Sequence, residues 1–171
     1  QKDETEKRDL CFKTVLKAIE LEQWDLIRRA EKPLSTLVNH KGENLLAVCV
    51  GQGMTKQVQE IFNQKLVETP SAGHHEFALH KAAKRGHIDL MRLLWSNTDV
   101  DQPKVSGKTS LHVAIKYNQP QAVEALLKNG ASSAIPYKGF SALAWAVSKG
   151  STTCVDLIVK KKKKTQLTEI T

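Results

Sequence analysis

Aromatic residues are scarce in this chain, at 5% of its 171 residues, which disfavours an all-β fold with a core rich in aromatic side chains. Long apolar runs are also absent. The longest uninterrupted runs are six residues long, as at residues 45–50, whereas a helix that crosses a bilayer needs about 20 apolar residues. The opening stretch, QKDETEKRD, is charged and lacks the apolar centre of a secretory signal. Hydrophobic residues nevertheless reach 40% and charged residues 26%, so the chain can form one compact domain or a short repeat array.

Signals for disulfides and glycosylation are missing as well. Cys11, Cys49 and Cys154 lie far apart with no CxxC pair, which is typical of reduced cysteines in an intracellular protein. No Asn-x-Ser/Thr acceptor site occurs. The predicted location is therefore intracellular, either cytoplasmic or nuclear, and the interior of the host cell if the chain comes from a pathogen.

Positive charge is in excess but unevenly placed. The formal net charge is +8. Five of the cations form the run Lys160–Lys164, and without them 21 cations face 18 acids. The net charge is therefore weak support for nucleic-acid binding. Two interpretations of the run stay open: a solubilising end to the fold, or a patch for nuclear import or anionic lipid.

A repeat of about 32 residues carries most of the information in the sequence. Four segments align: NLLAVCVGQGMTKQVQEIF, FALHKAAKRGHIDLMRLL, TSLHVAIKYNQPQAVEALL and SALAWAVSKGSTTCVDLIV. Their aligned leucines are Leu46, Leu79, Leu111 and Leu143, separated by 33, 32 and 32 residues. A fainter copy precedes them, with Val15 at the leucine position. Five units therefore account for nearly the whole chain.

Each unit reads as two short helices joined by a tight turn. Asn44, Thr109 and Ser141 stand where a side-chain oxygen would cap the first helix. Apolar residues spaced i, i+3 and i+4 follow and form one stripe. Gly86 and Gly150 stand where that helix ends, because glycine readily adopts the left-handed conformation found there. One such pair cannot bury its stripe alone, so stacking of the units supplies the core.

The repeat resembles that of the ankyrin family, whose T-P-L-H-x-A signature appears here as TSLHVA, FALHKA and SALAWA. The resemblance implies an all-α solenoid of stacked helix-turn-helix units with short connecting loops. It also implies that His80 and His112 bond the backbone of a loop. Phe77 replaces the capping Thr of the signature, and a longer loop is predicted at 63–76. The predicted domain covers residues 1–160, with repeats at about 10–40, 41–73, 74–105, 106–137 and 138–160, and a basic C-terminal tail follows at 161–171.

Motifs with catalytic meaning are absent or are explained by the repeat. VSGKTS resembles the end of a phosphate-binding loop, but Gln102 stands where its first glycine belongs. His74 and His75 are adjacent, with no Cys or carboxylate at the spacing of metal ligands. No arrangement of Ser, His and Asp, or of Cys and His, goes beyond chance. The sequence therefore predicts a chain that is not an enzyme and that holds no cofactor and no metal.

The resemblance further implies that loop tips and the exposed side of each first helix line a concave groove. Counted from each aligned leucine, the exposed positions are −6, −5, −3, +2, +5 and +6. Repeats three to five place seven cations and one acid at these eighteen positions, against 26 and 18 in the whole chain. Four aromatic residues join them towards repeat five. We call the following residues the basic-aromatic strip: Lys81, Lys84, Arg85, Lys108, Lys116, Tyr117, Tyr137, Lys138, Phe140, Trp145 and Lys149.

This strip predicts a module that binds another protein. Its cations favour a partner with an acidic segment, and aromatic residues beside lysine and arginine are typical of binding hot spots. The predicted role is an adaptor, scaffold or substrate-recruiting domain, alone or in a larger protein, with no small-molecule substrate. Two alternatives stay open. The strip and the lysine run would bind a polyanion, either nucleic acid or acidic lipid, or the lysines are ordinary solvated residues and Trp145 is partly buried.

Overall fold

The computed structural model describes residues 2–29, 37–64, 73–95, 99–104 and 106–168, and it places the side chains of 6–29, 37–64, 78–95, 99–104 and 106–164. Within these ranges the regular elements are α-helices, accompanied by two isolated β-bridges. The helices are α1 (Lys2–Glu20), α2 (Trp24–Arg28), α3 (Leu45–Gly51), α4 (Thr55–Asn63), α5 (Gly73–Arg85), α6 (Ile88–Trp95), α7 (Ser110–Lys116), α8 (Pro120–Lys128), α9 (Ala142–Ser148) and α10 (Thr152–Thr168). The predicted all-α repeat fold is confirmed.

The chain divides into two compact units, Gln1–Ala78 and Leu79–Thr171. In the first unit α1 contacts α2 and α3, and α3 contacts α4. One face of α1 buries Phe12 and Ile19. Cys49 on α3 is fully buried, and this burial raises the pKa of its thiol to about 12. The thiol therefore stays protonated and unreactive at neutral pH.

In the second unit the two helix pairs at its C-terminal end stack on one another. α7 packs against α8 and α9, α10 packs against α9 and α8, and α6 packs against α8. The residues between the helices recur at the same place in successive repeats. Ala82, Ala114 and Ala146, each three residues after the aligned leucine, have no exposed surface. Because these side chains are small, neighbouring helices can approach closely.

The helices begin at the caps that the sequence predicts. Asn44 Oδ1 accepts a hydrogen bond from the backbone N–H of Ala47 at 2.7 Å. Ser141 Oγ accepts one from Ala144 at 3.3 Å, and Thr109 caps α7 in the same way. Each bond satisfies a backbone donor that the first turn of a helix leaves unpaired.

The first helix of each repeat ends at a residue in the left-handed conformation. Gly86, Asn118 and Gly150 have φ values of +72°, +51° and +66°, as the sequence predicts for helix C-termini. Asn118 has a second role, because its Oδ1 accepts a hydrogen bond from Ser151 Oγ at 2.8 Å. This bond joins the turn of repeat four to that of repeat five.

The hairpin tip of repeat four spans the three residues between Lys104 and Lys108. The backbone N–H of Lys104 donates to the carbonyl of Lys108 at 2.8 Å. The N–H of Gly107 donates to the carbonyl of Lys104, and Gly107 has a φ of +81°. Repeat two has the same arrangement, in which the backbone N–H of Asn39 donates to the carbonyl of Glu43 at 3.0 Å.

The hairpin tip of repeat five is one residue shorter. Tyr137 and Phe140 exchange backbone hydrogen bonds of 2.9 and 3.0 Å across two residues. These two residues, Lys138 and Gly139, have φ values of +51° and +79°. A two-residue turn with both φ values positive is a type I′ turn, which matches the twist of a hairpin.

Two elements differ from the sequence prediction in their extent. α5 begins at Gly73, so the end of the loop predicted at 63–76 is helical, while residues 65–72 lie outside the described ranges. Phe77 has no side-chain oxygen to cap a helix there, and no proline stands between Pro70 and Phe77, so the helix starts earlier. α10 continues through the lysine run to Thr168.

None of the described helices combines the length and the apolar content that a membrane-spanning segment needs.

Candidate functional site

All residues of the basic-aromatic strip belong to the second unit. Five of them stand at the C-terminal ends of the first helices, where successive repeats place equivalent residues. Lys84 and Arg85 end α5, Lys116 and Tyr117 end α7, and Lys149 follows α9. Lys84, Arg85, Lys116 and Lys149 are exposed, and Tyr117 is 40% exposed.

The other strip residues lie at the hairpin tips or at the second position after the aligned leucine. Lys108, Tyr137, Lys138 and Phe140 come from the tips of repeats four and five. Phe140 is 49% exposed. Lys81 and Trp145 hold the second position after the leucine, and both are partly buried. The side chains of Gly73, His74, Glu76 and Val105, which share these repeat positions, lie outside the described ranges.

Two lysines from neighbouring repeats contact the ring of Tyr117. The Nζ of Lys84 lies 4.7 Å from the centre of the Tyr117 ring, and the Nζ of Lys116 lies 5.3 Å from it. Lys84 belongs to repeat three and Tyr117 to repeat four, so the contact crosses from one repeat to the next. The negative face of the ring stabilises both ammonium groups in the same place. Two positive charges are thereby concentrated on an exposed ring.

Tyr137 lies in an aromatic cluster at the tip of repeat five. Its ring centre is 5.1 Å from that of Trp145, with the rings perpendicular, and 5.7 Å from that of His112. Tyr137 is only 6% exposed, so the expectation that position −6 is exposed is wrong for this residue. The reason is the shorter hairpin, which makes Tyr137 a paired residue whose ring packs inward. Val113, also expected to be exposed, is likewise 6% exposed.

Lysines surround this aromatic cluster. The Nζ of Lys108 lies 5.0 Å and that of Lys138 lies 5.8 Å from the centre of the Tyr137 ring. The Nζ of Lys149 lies 4.6 Å from the ring of Trp145. The indole N–H of Trp145 is buried and has no hydrogen-bond partner among the described residues. The cluster is therefore an apolar patch with the ammonium groups of three lysines around it.

Five lysines of the strip have no acidic neighbour among the described side chains. Among the residues whose side chains are described, no carboxylate lies at ion-pair distance from Lys84, Lys108, Lys116, Lys138 or Lys149. Elsewhere the chain does pair its cations, as in the 2.7 Å contact between the exposed side chains of α8, Lys128 Nζ and Glu124 Oε1. These five lysines therefore remain available to an external carboxylate.

Repeat two, in the first unit, differs at the equivalent positions. His40 Nδ1 lies 2.9 Å from Asp9 Oδ2, and the amide of Asn39 donates to Glu43 Oε2 at 3.1 Å. Acidic groups are thus already present around the tip of repeat two. This agrees with the absence of a charge bias at its exposed positions in the sequence.

The two signature histidines have different partners. His80 Nε2 lies 2.9 Å from the carbonyl of Lys108, which confirms the loop-backbone bond expected for His80. His112 Nδ1 lies 2.8 Å from Thr109 Oγ1, but the buried Nε2 has no partner among the described residues. The same expectation is therefore wrong for His112. Burial, and then the charge of Lys108, lower the pKa of His112.

His112 belongs to the aromatic cluster, and the sequence interpretation left it out of the strip. The sequence does carry a sign of the shorter tip, because Lys138-Gly139 in repeat five fits a two-residue turn. A shorter turn changes which side chain meets the histidine of the preceding repeat. No group of three or more His, Cys, Asp or Glu that could hold a metal ion occurs within the described ranges, and the side chains of His74 and His75 lie outside them.

Comparison with known families matches the chain to a model described as ankyrin repeats, in three copies, at residues 45–136 and 79–169. These matches together cover more than half of the chain. The chain belongs to the ankyrin-repeat family. Ankyrin repeats are generally protein–protein interaction modules without catalytic activity of their own. This ankyrin-repeat chain is therefore expected to work through a surface that binds another protein.

Proposed function

We propose that this ankyrin-repeat chain holds an acidic and apolar segment of another protein along the basic-aromatic strip of its second unit. The observation that carries the proposal is the set of strip lysines that gather on aromatic rings with no carboxylate beside them in the described residues. A partner carboxylate placed there would remove the repulsion between these lysines and gain several charge-assisted contacts.

The aromatic residues supply the apolar part of the surface. Trp145 is held in place by the perpendicular ring of Tyr137, and Phe140 stands half exposed beside the tip. Rigid aromatic side chains lose little conformational freedom on binding, which is why they dominate binding hot spots. In this arrangement Tyr137 acts as the support for Trp145 rather than as a contact residue.

The role that follows is that of an adaptor, scaffold or substrate-recruiting domain inside the cell. The partner segment crosses repeats three to five, with its acidic residues near the helix ends and its apolar residue near Trp145. The proposal needs no cofactor, metal or small-molecule substrate.

Selection of random peptides on the full chain tests this proposal without a known partner. Displayed peptides of about 12 residues are long enough to cross three repeats. We expect the selected pool to be enriched in Asp, Glu and large apolar residues. A variant with Lys84→Glu, Arg85→Glu and Lys116→Glu should lose these peptides, because each substitution replaces attraction by repulsion.

The matched control reverses three exposed cations outside the strip, at Lys41, Lys56 and Arg92. It makes the same change in net charge and should keep the selected peptides. Equal loss in both variants, or selected peptides without acidic residues, would contradict the proposal. Retained binding after both the strip reversal and Trp145→Ala would place the binding surface elsewhere.

A second candidate function is binding of a polyanion, favoured by the helical lysine run. α10 continues through Lys160–Lys164, and all five lysines are exposed. Five consecutive helical residues surround the helix axis, so this segment is positive on every side. Nucleic acid or acidic lipid would then be bound with a steep dependence on salt.

Deleting residues 160–171 separates the two candidates. Binding to heparin, to duplex DNA and to vesicles containing phosphatidylserine is measured for both chains at several salt concentrations. Loss of polyanion binding with retained binding of the selected peptides would favour the strip as the main function. Loss of peptide binding with retained polyanion binding would favour the reverse.

A further inference from the structure

Three lysines at the ends of the first helices form a row with one member in each of repeats three to five. Lys84, Lys116 and Lys149, which we call the cation row, stand five or six residues after the aligned leucine, and all three are exposed. The Nζ atoms of Lys84 and Lys116 lie 4.7 and 5.3 Å from the centre of the Tyr117 ring, so they are at most 10.0 Å apart. α9, which Lys149 follows, packs beside α7. Because packed helices lie roughly 8–10 Å apart, the row advances by about that distance in each repeat.

Acidic residues of the second unit belong to other elements. Those whose side chains are described lie on the second helices or in the connection between repeats three and four: Asp89, Asp99, Asp101, Glu124 and Asp156. Asp101 accepts the backbone N–H of Ser132 at 2.9 Å, and Glu124 is paired with Lys128. Residues 79–86, 110–118 and 142–150, which form the first helices and their turns, include no acid. The cation row is therefore a regular series of positive charges on elements that carry no negative charge.

The spacing of the cation row restricts the conformation of a segment that meets each cation with one acid. In a β-strand the residues on one face recur at every second position, about 6.7 or about 13 Å apart, and neither distance fits. A polyproline II segment rises about 3.1 Å per residue with three residues per turn, so every third side chain lies on one side, about 9.3 Å apart. In an α-helix every seventh residue returns to the same side after about 10.5 Å. Periods of three and of seven residues therefore fit.

Aromatic side chains beside the cation row favour the period of three. Tyr117, which both Lys84 and Lys116 approach, is 40% exposed, and Phe140 at the tip of repeat five is 49% exposed. The Nζ of Lys149 lies 4.6 Å from the Trp145 ring. Surfaces lined by aromatic side chains bind proline-rich segments, because a polyproline II segment is already extended before it binds. A three-residue period leaves two positions between successive acids for such prolines.

We propose that the basic-aromatic strip recognises a polyproline II segment of its partner, with an acidic residue at every third position and prolines between them. One acid meets each lysine of the cation row, and the prolines contact the exposed aromatic side chains. This inference rests on the function proposed above and adds the spacing and the conformation of the bound segment.

Two peptides of the same composition test the spacing. Fluorescein-labelled PPEPPEPPEPP carries three glutamates at the proposed period, and PPPPEEEPPPP carries the same three glutamates at consecutive positions. Fluorescence anisotropy with the full chain at low salt should show binding of the spaced peptide about tenfold tighter, because the consecutive glutamates reach fewer lysines of the row.

Two further peptides test the conformation. GGEGGEGGEGG keeps the spacing but has no preformed structure, and it should bind about fivefold more weakly than the spaced proline peptide because it loses more conformational freedom. An alanine-rich helical peptide with three glutamates, one at every seventh position, tests the other period. It should also bind more weakly than the spaced proline peptide.

A double-mutant cycle locates the central contact. The central glutamate of the spaced peptide meets Lys116 whichever way the peptide runs, so Lys116→Ala should weaken binding about fivefold. This effect should vanish when glutamine replaces the central glutamate. Arg92→Ala is the control, because it removes an exposed positive charge outside the strip, and it should leave binding unchanged. Circular dichroism shows whether each variant keeps its helical content.

Several results would overturn the inference. These are absence of binding by the spaced peptide, equal binding of the spaced and grouped peptides, binding of the glycine or helical peptide that is as tight, or a Lys116→Ala effect that persists with the glutamine peptide. A grouped or helical peptide that binds best, and is lost on the reversal of Lys84, Arg85 and Lys116, would overturn the period and the conformation while supporting the proposed function. Absence of binding by every acidic peptide, together with a selected pool that lacks acids, would overturn both.

Discussion

The hairpin tips of repeats four and five differ by one residue, and the difference decides the environment of two histidines at the same repeat position. Beside the longer tip, His80 Nε2 bonds the carbonyl of Lys108 at 2.9 Å. In both tips this carbonyl also accepts a backbone N–H, from Lys104 in the longer tip and from Tyr137 in the shorter one, but the matching carbonyl of Phe140 receives no histidine. His112 Nε2 is left without a partner in the described residues and faces the Tyr137 ring instead.

Tip length, and not only the residue at a position, therefore decides which side chains these repeats present at their surface. The longer tip is joined to the preceding repeat by a polar contact. The shorter tip is joined to it by packing of Tyr137 against His112 and Trp145. That packing holds Trp145, the aromatic residue at the centre of the strip. The shorter tip of repeat five therefore sets the position of Trp145 in the proposed binding surface.

Tyr137 and Phe140 close the shorter tip, and we expect their replacement by alanine to differ strongly in its cost to stability. Tyr137→Ala removes a ring that is 6% exposed, and we expect it to lower the free energy of unfolding by about 3 kcal/mol. Phe140→Ala removes a ring that is 49% exposed and should cost less than about 1 kcal/mol. Urea unfolding followed by circular dichroism measures both. Equal costs would show that Tyr137 is not the support of the cluster.

The two histidines should also differ when replaced by leucine. His80→Leu breaks a buried hydrogen bond to the Lys108 carbonyl, whereas His112→Leu removes a nitrogen that has no partner among the described residues. His112→Leu does lose the contact to Thr109 Oγ1. We therefore expect His80→Leu to be the more destabilising by about 1 kcal/mol, measured as above. A larger cost for His112→Leu would mean that His112 Nε2 is hydrogen-bonded in solution.

The architecture was predictable from the sequence because it depends on features that recur. The 32-residue period, the caps at Asn44, Thr109 and Ser141, and the left-handed residues at the helix ends all express local preferences that each repeat satisfies independently. The strip lysines at the helix ends are exposed as predicted, because their distance from the aligned leucine is fixed by the helix.

The environment of Tyr137 was not predictable in the same way. Counting back from Leu143 assumes that every tip has the same length, and that assumption fails where Lys138 and Gly139 form a two-residue turn. The start of α5 was missed for a related reason, since alignment of the repeats predicted a loop as far as residue 76 and the helix begins at Gly73.

Acid should destabilise the fold through the buried histidine. Because the pKa of His112 is lowered in the folded chain, the unfolded chain binds more protons as the pH falls below about 6.5. The contribution of His112 is therefore complete above that pH and is lost below it. Between about pH 7.5 and about pH 5.5 the loss is at most about 1.4 kcal/mol. Unfolding at both values should show a smaller pH effect in His112→Leu, and an unchanged effect would assign the dependence to other groups.

The smallest expected effect concerns the turn that makes the difference between the tips. Lys138 has a φ of +51°, which lysine tolerates less well than asparagine, and Asn-Gly is the preferred pair for a type I′ turn. We expect Lys138→Asn to raise the free energy of unfolding by about 0.5 kcal/mol. Lys149→Asn is the matched control, because it removes an equivalent charge at a residue with a φ of −93° and should give no gain in stability.

The same two variants also test binding. Since Lys138 lies farther from the Tyr137 ring than Lys149 does from the Trp145 ring, Lys138→Asn should weaken binding of an acidic peptide less than Lys149→Asn. A variant that stabilises the turn and yet abolishes binding would show that Lys138 itself contacts the partner.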